Sequence, residues 1–256
     1  MNITEIKTHK WTTAPRLGSG GIGIHDDSNA QSYGFDGGFV GGVSLYEHFV
    51  GAFLDQGIDW LSSGTASYRF RLPVYDGEEV HFSIDASTKT FEIIGNDDKG
   101  PRMLGTFGLD ADPVQVPAGE AMQPIDVRLG EESHLGSIMQ LEIDFNDQDF
   151  SGPNLSGFPN IIDGRNTIPA GKWTNPIDLI TTHFDELTTI HRTGRIWHHS
   201  PLFAGEVLVK RGIINELYEH RGNKVVRFSV EQTTSDGRPI ATIEHESVYR
   251  LARAQS

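Results

Sequence analysis

Apolar residues recur at helical spacing in two stretches of the chain, one in each half. In the first half they fall at Val43, Tyr46, Val50 and Phe53, widened by Leu45, Phe49 and Ala52. These spacings predict a helix, and a helix that is apolar on most sides is surrounded by protein. In the second half the same spacing joins Ile177, Ile180, Phe184 and Leu187. There Asn175 is placed to cap the helix and Pro176 to take its first position.

Strand-like stretches follow each predicted helix. In the first half they cover residues 67–72, 79–85, 90–94 and 104–109, and in the second half residues 194–198, 207–218, 224–232 and 240–251. Turn residues at 96–101 and at 235–238 separate the last two strands of each set. One helix followed by four strands, twice, predicts an α+β fold in which two long helices are each wrapped by an antiparallel sheet.

The two halves also share short sequence patterns. Pro73 and Gly77 recur as Pro201 and Gly205, both at an offset of 128 residues. The four residues Phe39 to Gly42 find a counterpart at an offset of 129 residues. Agreement between separated matches indicates an internal repeat. We therefore predict two units, at residues 1–118 and 119–256.

The segment between the predicted units, residues 110–167, is rich in Pro, Gly, Asp and Asn. We expect it to hold a linker, the first strand of the second unit at residues 136–145, and a long loop at residues 147–158. Such loops mostly connect elements, and some of them cover a site.

Composition narrows the function classes. The chain has 256 residues, 37% of them hydrophobic, which is enough for a sizeable core. A net charge of −14 disfavours nucleic acid and anionic membranes as partners, because both require a basic surface. The absence of cysteine excludes disulfides, thiolate catalysis and cysteine-ligated metals. With neither a signal-like N-terminus nor a membrane-length apolar run, a cytoplasmic protein is expected.

Several patterns in the second half point to a known superfamily. Residues 201–206 read Pro-x-x-x-Gly-Glu, a turn follows at residues 221–223, and residues 236–241 form the closing hairpin. A buried helix followed by this strand and hairpin resembles the hot-dog superfamily, and within it the MaoC-like hydratases and dehydratases. The resemblance implies a tandem, or double, hot-dog fold.

A loop in the first half bears on chemistry. Residues 21–30, followed by Gly34-Phe35 and Gly41-Gly42, resemble the hydratase signature in their spacing. The resemblance implies that His25 is catalytic. The family's catalytic Asp falls on Gly20, however, so the Asp–His pair that orients water for addition to an unsaturated thioester is incomplete.

The start of the first helix offers a second catalytic candidate. Residues 42–47, Gly-Val-Ser-Leu-Tyr-Glu, resemble the motif of fatty-acid β-hydroxyacyl dehydratases, which implies Glu47 as the acid/base partner. The position of the histidine in those enzymes is taken by Tyr33, which is therefore also a catalytic candidate. A buried carboxylate is costly unless it is paired. We therefore expect Glu47 to pair, with His48 or an arginine, or to face a cavity. His48 is either catalytic or a core histidine.

Substrate binding is predicted at the helix starts. The first N–H groups of a helix are unpaired donors at the positive end of its dipole, and they can polarise a carbonyl. Gly41, Gly42 and Gly171 occupy such positions.

Two residues of the second helix are further candidates. Asp178 lies in its first turn and either complements the dipole or pairs with His25 as a catalytic group. His183 is predicted to contact substrate. No metal site is predicted, because His198 and His199 are adjacent on a strand and point to opposite faces.

These residues favour a lyase of the hydratase or dehydratase type, acting on a small-molecule acyl thioester of CoA or an acyl carrier. A hot-dog thioesterase, a binding protein without catalysis, and a hydratase-like pocket adapted to another substrate remain open alternatives. No cofactor is predicted. A homodimer is compatible with the sequence, as is a monomer.

Overall fold

One continuous antiparallel sheet dominates the computed structural model, which describes residues 24–54, 57–75, 78–97, 99–125, 127–130, 132–146, 161–185 and 189–252. Its nine strands within these ranges are, in spatial order, β2 (Val80–Asp85), β3 (Thr90–Gly95), β4 (Pro101–Phe107), β1 (Thr65–Phe70), β8 (Ile190–His198), β11 (Pro239–Arg250), β10 (Asn223–Thr234), β9 (Val207–His220) and β5 (Ile138–Asp144). A separate two-stranded ribbon consists of β6 (Ile161–Ile162) and β7 (Arg165–Asn166).

The two halves of the chain meet in the middle of this sheet. β1 pairs with β8, with Thr65 opposite Trp197 and Arg69 opposite Thr193. All first-half strands lie on one side of this junction and all second-half strands of the large sheet on the other. The predicted strands therefore exist and pair as antiparallel neighbours. The predicted boundary at residues 118 and 119 lies between β4 and β5.

The helices are α1 (Asp27–Ser32), α2 (Gly42–Leu54), α3 (Trp60–Ser63), α4 (Ala170–Trp173) and α5 (Ile177–His183), with a 3-10 turn at Glu132–His134. Every residue of α2 from Leu45 to Phe53 is buried. Aromatic side chains surround the helix; the ring centroid of Phe49, for example, lies 4.2 Å from that of Phe91 on β3 and 5.0 Å from that of Trp60. The predicted enclosed helix of the first half is confirmed.

The prediction of a second long helix is not confirmed. The second half has the four-residue α4 and the seven-residue α5 in its place. Pro176 separates them, because proline has no N–H to donate and disfavours helical backbone in the residue before it. The helix begins one residue later than predicted, at Ile177, whose N–H donates to Asn175 Oδ1 at 3.3 Å.

Matching hydrogen bonds show the internal repeat in the structure. The Val40 N–H donates to the Val74 carbonyl at 2.7 Å, and the Ile168 N–H donates to the Leu202 carbonyl at 2.9 Å. The isolated bridge between Phe39 and Tyr75 likewise recurs between Thr167 and Phe203. All of these pairs are 128 residues apart. The offset of 129 predicted for Phe39 to Gly42 was therefore wrong by one residue.

The segment between β4 and β5 crosses the face of the sheet that is turned away from the helices. Trp197 Nε1 on β8 donates to the Ala111 carbonyl at 2.8 Å, and the Val116 N–H donates to Glu231 Oε1 on β10 at 2.8 Å. The linker thus carries the chain over the second-half strands to reach β5. The loop predicted at residues 147–158 lies outside the described residues.

Candidate active site

A cavity of about 310 Å³ lies at the start of α2 and is lined by both halves of the chain. The first half contributes His25, the loop before α2, the helix start, and the residues at and after the end of β1. The second half contributes Asn175 and Ile177, the beginning of β8, and part of β11. Cavities of this volume are typical of small-molecule sites.

His25 reaches the cavity from the loop before α1. Its Nδ1 lies 2.5 Å from the Phe39 carbonyl. A carbonyl only accepts hydrogen bonds, so Nδ1 carries a proton and, in the neutral ring, Nε2 carries the lone pair. The ring lies beside Gly41, where a Cβ atom would be 3.7 Å from His25 Cε1 and 4.0 Å from Nε2. The imidazole is therefore held next to the helix start.

Two aspartates hold this loop in place. Asp26 caps α1 by accepting from the Asn29 N–H at 3.0 Å, and a hydrogen bond from Ser28 is the main cause of its lowered pKa. Asp27 Oδ1 accepts from the Gly38 N–H at 2.8 Å. Both carboxylates thus accept hydrogen bonds from backbone N–H groups and fix the loop that carries His25.

Glycine at the start of α2 leaves room for the ring of Phe70. A Cβ atom on Gly42 would lie 2.7 Å from Cζ of Phe70, whose ring also lines the cavity. Gly41, Gly42 and Val43 all line the cavity. The first N–H groups of a helix have no carbonyl in a preceding turn. The cavity wall therefore contains backbone donors at the positive end of a 13-residue helix.

Glu47 lies within α2, and its side chain contacts the start of α4. It is only 4% exposed, and its Oε2 accepts from the Gly171 N–H of α4 at 2.9 Å. A Cβ atom on Gly171 would lie within 2.2 Å of that oxygen. The carboxylate is therefore paired with a backbone amide of the other unit. His48, the next residue, is also buried.

The repeat relates the two helix starts residue by residue. At the offset of 128, Gly171 corresponds to Val43 and Asn175 to Glu47. Asn175 lines the cavity at the start of α2, whereas Glu47 contacts the start of α4. The start of α4 thus binds a carboxylate from the other unit, whereas the Oδ1 atom of Asn175 accepts from the Ile177 N–H within its own unit.

The remaining predicted site residues have other contacts. Asp178 forms an ion pair with the fully buried Lys210, with Oδ2 and Nζ 2.5 Å apart, so its carboxylate neutralises the charge of that lysine. His183 is buried and its Nδ1 donates to the Leu179 carbonyl at 2.9 Å. Tyr33 ends α1 by backbone hydrogen bonding to Ala30. None of the three is among the residues that line the cavity.

Two cavity-lining histidines were missed in the sequence. His191 lies on β8 and His245 on β11, and their ring centroids are 3.9 Å apart. Burial lowers the pKa of His191 to about 3, and burial together with the neighbouring His191 lowers the pKa of His245 well below its usual value. His245 falls within a predicted strand and His191 lies three residues before one, and only the pairing of β8 with β11 brings them together.

Within the described ranges, no cluster of three or more His, Asp or Glu side chains could hold a metal ion. None of the helices there has the length and apolar character needed to span a membrane.

No protein-family model and no curated protein sequence matches the chain. Solved structures do match. A Mycobacterium tuberculosis protein described as having a double hotdog fold is 13% identical, with 88% of this chain and 86% of that chain covered, at a TM-score of 0.58. A candidate MaoC domain dehydratase from Chloroflexus aurantiacus is 14% identical, with 87% and 85% covered, at a TM-score of 0.54.

A candidate oleoyl thioesterase from Lactobacillus plantarum is also similar, at 10% identity, with 97% of this chain and 98% of that chain covered and a TM-score of 0.50. The chain therefore has the double hot-dog fold, and its predicted likeness to MaoC-like proteins is confirmed for the fold. The matched folds include both dehydratase and thioesterase candidates, so fold alone does not select a reaction.

Proposed function

We propose that the chain is a hydratase or dehydratase that acts on an α,β-unsaturated or β-hydroxy acyl thioester. The observation that carries this proposal is the placement of His25 and the α2 backbone donors on one cavity wall. Addition of water to an enoyl thioester needs a base for the water and a donor for the thioester oxygen. Both are present within the same cavity.

His25 takes the role of the base. Its Nδ1 donates to the Phe39 carbonyl, so the lone pair of the neutral ring is on Nε2, on the edge that lies near Gly41. A backbone carbonyl here holds the ring as a carboxylate does in the Asp–His pair. During hydration, Nε2 accepts a proton from water as the water oxygen bonds to the β carbon. The resulting imidazolium returns a proton to the α carbon, and dehydration is the reverse.

The start of α2 takes the role of the oxyanion hole. Negative charge develops on the thioester oxygen as enolate character forms, and N–H groups at a helix start stabilise such charge. The contact between Glu47 and Gly171 supports this role, because there a carboxylate oxygen lies 2.9 Å from the N–H that corresponds to Val43. The fold thus has a geometry in which the second amide of this helix binds an anionic oxygen.

Turnover assays on thioester panels test the proposal. Enoyl-CoAs of several chain lengths should lose their enone absorbance in the presence of the protein, and saturated acyl-CoAs should release no thiol. Thiol release without hydration would replace the proposal with thioesterase activity, and no reaction in either assay would overturn it.

His25→Gln assigns the base. Glutamine can still donate to the Phe39 carbonyl but does not act as a base, so we expect kcat/KM to fall about 10²- to 10⁴-fold. Because His25 is exposed, the free energy of unfolding should change by no more than about 0.5 kcal/mol. His220→Gln, at an exposed histidine outside the cavity lining, is the matched control and should keep full turnover. Full turnover by His25→Gln would remove this residue from the mechanism.

A further inference from the structure

Phe70 is the last residue of β1, the strand at which the two units meet. Its side chain is only partly buried and lines the cavity, whereas Tyr68, two residues earlier on the same face of the strand, is 3% exposed. The centroids of the two rings are 5.7 Å apart. The reaction proposed above assigns no role to Phe70, although its side chain is accessible from the cavity.

The ring of Phe70 contacts two walls of the cavity. On one side its tip lies against the start of α2, where a Cβ atom on Gly42 would be 2.7 Å from Cζ. On the other side its centroid lies 4.7 Å from that of His191, a lining residue on β8. The first wall belongs to the first unit and the second wall to the second unit. The ring therefore occupies the space between them.

This position places the ring beside the reacting part of the proposed substrate. A thioester oxygen that binds to the first N–H groups of α2 lies next to Gly42, against which the tip of Phe70 packs. An acyl chain that extends from there toward the second unit meets the ring. Contacts on both sides hold the ring in place, because close-packed neighbours leave no room for it to turn aside.

The wall beyond the ring is apolar. The second unit lines the cavity with the aliphatic residues Ile177, Ile190, Val248 and Leu251. Ile190 and Leu251 are partly exposed, so they present apolar surface that the described part of the protein does not cover. Each methylene of a ligand that is buried on such a surface increases the affinity about fourfold.

We propose that Phe70 is a specificity-determining residue that limits the length of the acyl chain. The ring stops the chain before it reaches the apolar surface of the second unit, so the substrate is a short-chain acyl thioester. A smaller side chain at this position opens that surface to longer chains. This inference rests on the proposed function for the identity of the ligand, whereas the length limit can be measured without any reaction.

Calorimetric titration of the full chain with 2-oxoalkyl-CoA thioethers of increasing length tests the limit. These analogues keep a carbonyl group and can be neither hydrated nor hydrolysed. In the unmodified protein the affinity should stop rising once the chain reaches the ring. In Phe70→Ala it should continue to rise, with a gain of about tenfold or more for a chain about two carbons longer. Phe70→Trp, which has a larger ring, should move the limit to shorter chains.

Two further variants control for effects on the fold. Phe70→Leu keeps a branched apolar side chain at this position, and it should move the limit in the same direction as alanine by a smaller amount. Phe107→Leu is the matched control, because Phe107 is also a partly buried phenylalanine, on the neighbouring strand β4. Its ring lies 5.3 Å from that of Phe53, and it is not among the residues that line the cavity. Its length profile should equal that of the unmodified protein.

The outcomes separate this inference from the proposed reaction. Unchanged length profiles in both Phe70→Ala and Phe70→Leu, or no binding of any analogue, would overturn the inference. A shifted limit in a protein that hydrates no enoyl-CoA would refute the proposed reaction alone. Hydration of enoyl-CoAs with the same chain-length dependence in the unmodified protein and in both variants would refute the role of Phe70 alone.

Discussion

The starts of α2 and α4 occupy equivalent positions in the internal repeat, but one faces a cavity and the other contacts a buried side chain. At the start of α2, Gly41 to Val43 face a cavity that also contains His25. At the start of α4, the amide that corresponds to Val43 donates to the buried carboxylate of Glu47. One helix start is thus open to a ligand, and the other is closed by the protein itself.

The difference depends on one pair of residues and on helix length. Glu47 contacts the start of α4, whereas its counterpart Asn175, which is shorter and uncharged, accepts from the Ile177 N–H with its Oδ1. The open start also belongs to a helix of 13 residues, whereas α4 has four residues and ends before Pro176. A duplicated fold can therefore keep a site in one copy while the other copy uses the same geometry to stabilise the interface between them.

Asn175→Glu should transfer the closed arrangement to the open site. The new carboxylate would be placed as Glu47 is, within reach of the amides of Gly42 and Val43, and would add negative charge where the proposed oxyanion forms. We expect turnover of enoyl-CoA to fall by about 100-fold or more, as when a donor to the oxyanion is lost. Initial rates measured by enone absorbance provide the test.

Asn175→Gln is the matched control for this change, because it has the same length without the charge. Its turnover should remain well above that of Asn175→Glu. If both variants keep the rate of the unmodified protein, the thioester oxygen does not bind at the start of α2.

Much of the fold was predictable because local signals agreed with the tertiary structure. The apolar face of α2 and the turn at residues 235–238 led directly to a buried helix and to the hairpin of β10 and β11. The second helix was overestimated at its C-terminal end, because the apolar spacing continues to Leu187 whereas α5 ends at His183 and the backbone of Phe184 is extended.

The site was less predictable, because its parts come from distant segments. The glycines at the start of α2 and His25 could be found, since a motif holds them together. The partners of Glu47 and Asp178 could not be found, because Gly171 and Lys210 approach them only through packing between the units. No local sequence pattern indicates that His191 and His245 are neighbours, because their contact depends on the register of β8 and β11.

Glu47→Ala and Glu47→Gln test the closed helix start. Alanine leaves the Gly171 N–H without its acceptor in a buried place, so we expect a loss of about 2 to 3 kcal/mol in the free energy of unfolding. Glutamine can still accept from that N–H and should cost about 1 kcal/mol. Urea unfolding monitored by tryptophan fluorescence measures both values.

The same variants also separate structure from catalysis. Under the proposed mechanism, Glu47→Gln keeps its turnover because the carboxylate accepts a hydrogen bond from the start of α4 and takes no part in the reaction. A folded Glu47→Gln protein without turnover would instead assign Glu47 the acid/base role that its sequence motif implies.

His198 contacts both α2 and α4. His198 on β8 is 2% exposed, with Nε2 2.8 Å from the Tyr46 hydroxyl of α2 and its ring centroid 5.5 Å from that of Trp173 of α4. Burial lowers its pKa to about 3, with a smaller contribution from His199. The unfolded chain, whose histidines titrate near pH 6.5, therefore binds more protons than the folded protein between about pH 6.5 and 3.

Stability should accordingly be complete above about pH 6.5 and fall as the pH decreases, by roughly 1.5 kcal/mol for this histidine between pH 6.5 and 5. His191 and His245 have lowered pKa values as well and should add to the same slope. Measured at several pH values in this window, the free energy of unfolding should decline less steeply in His198→Gln than in the unmodified protein. The difference in slope corresponds to the one proton that His198 binds on unfolding. Parallel curves would mean that His198 is protonated in the folded protein, and that the packing shared by α2 and α4 tolerates a buried charge.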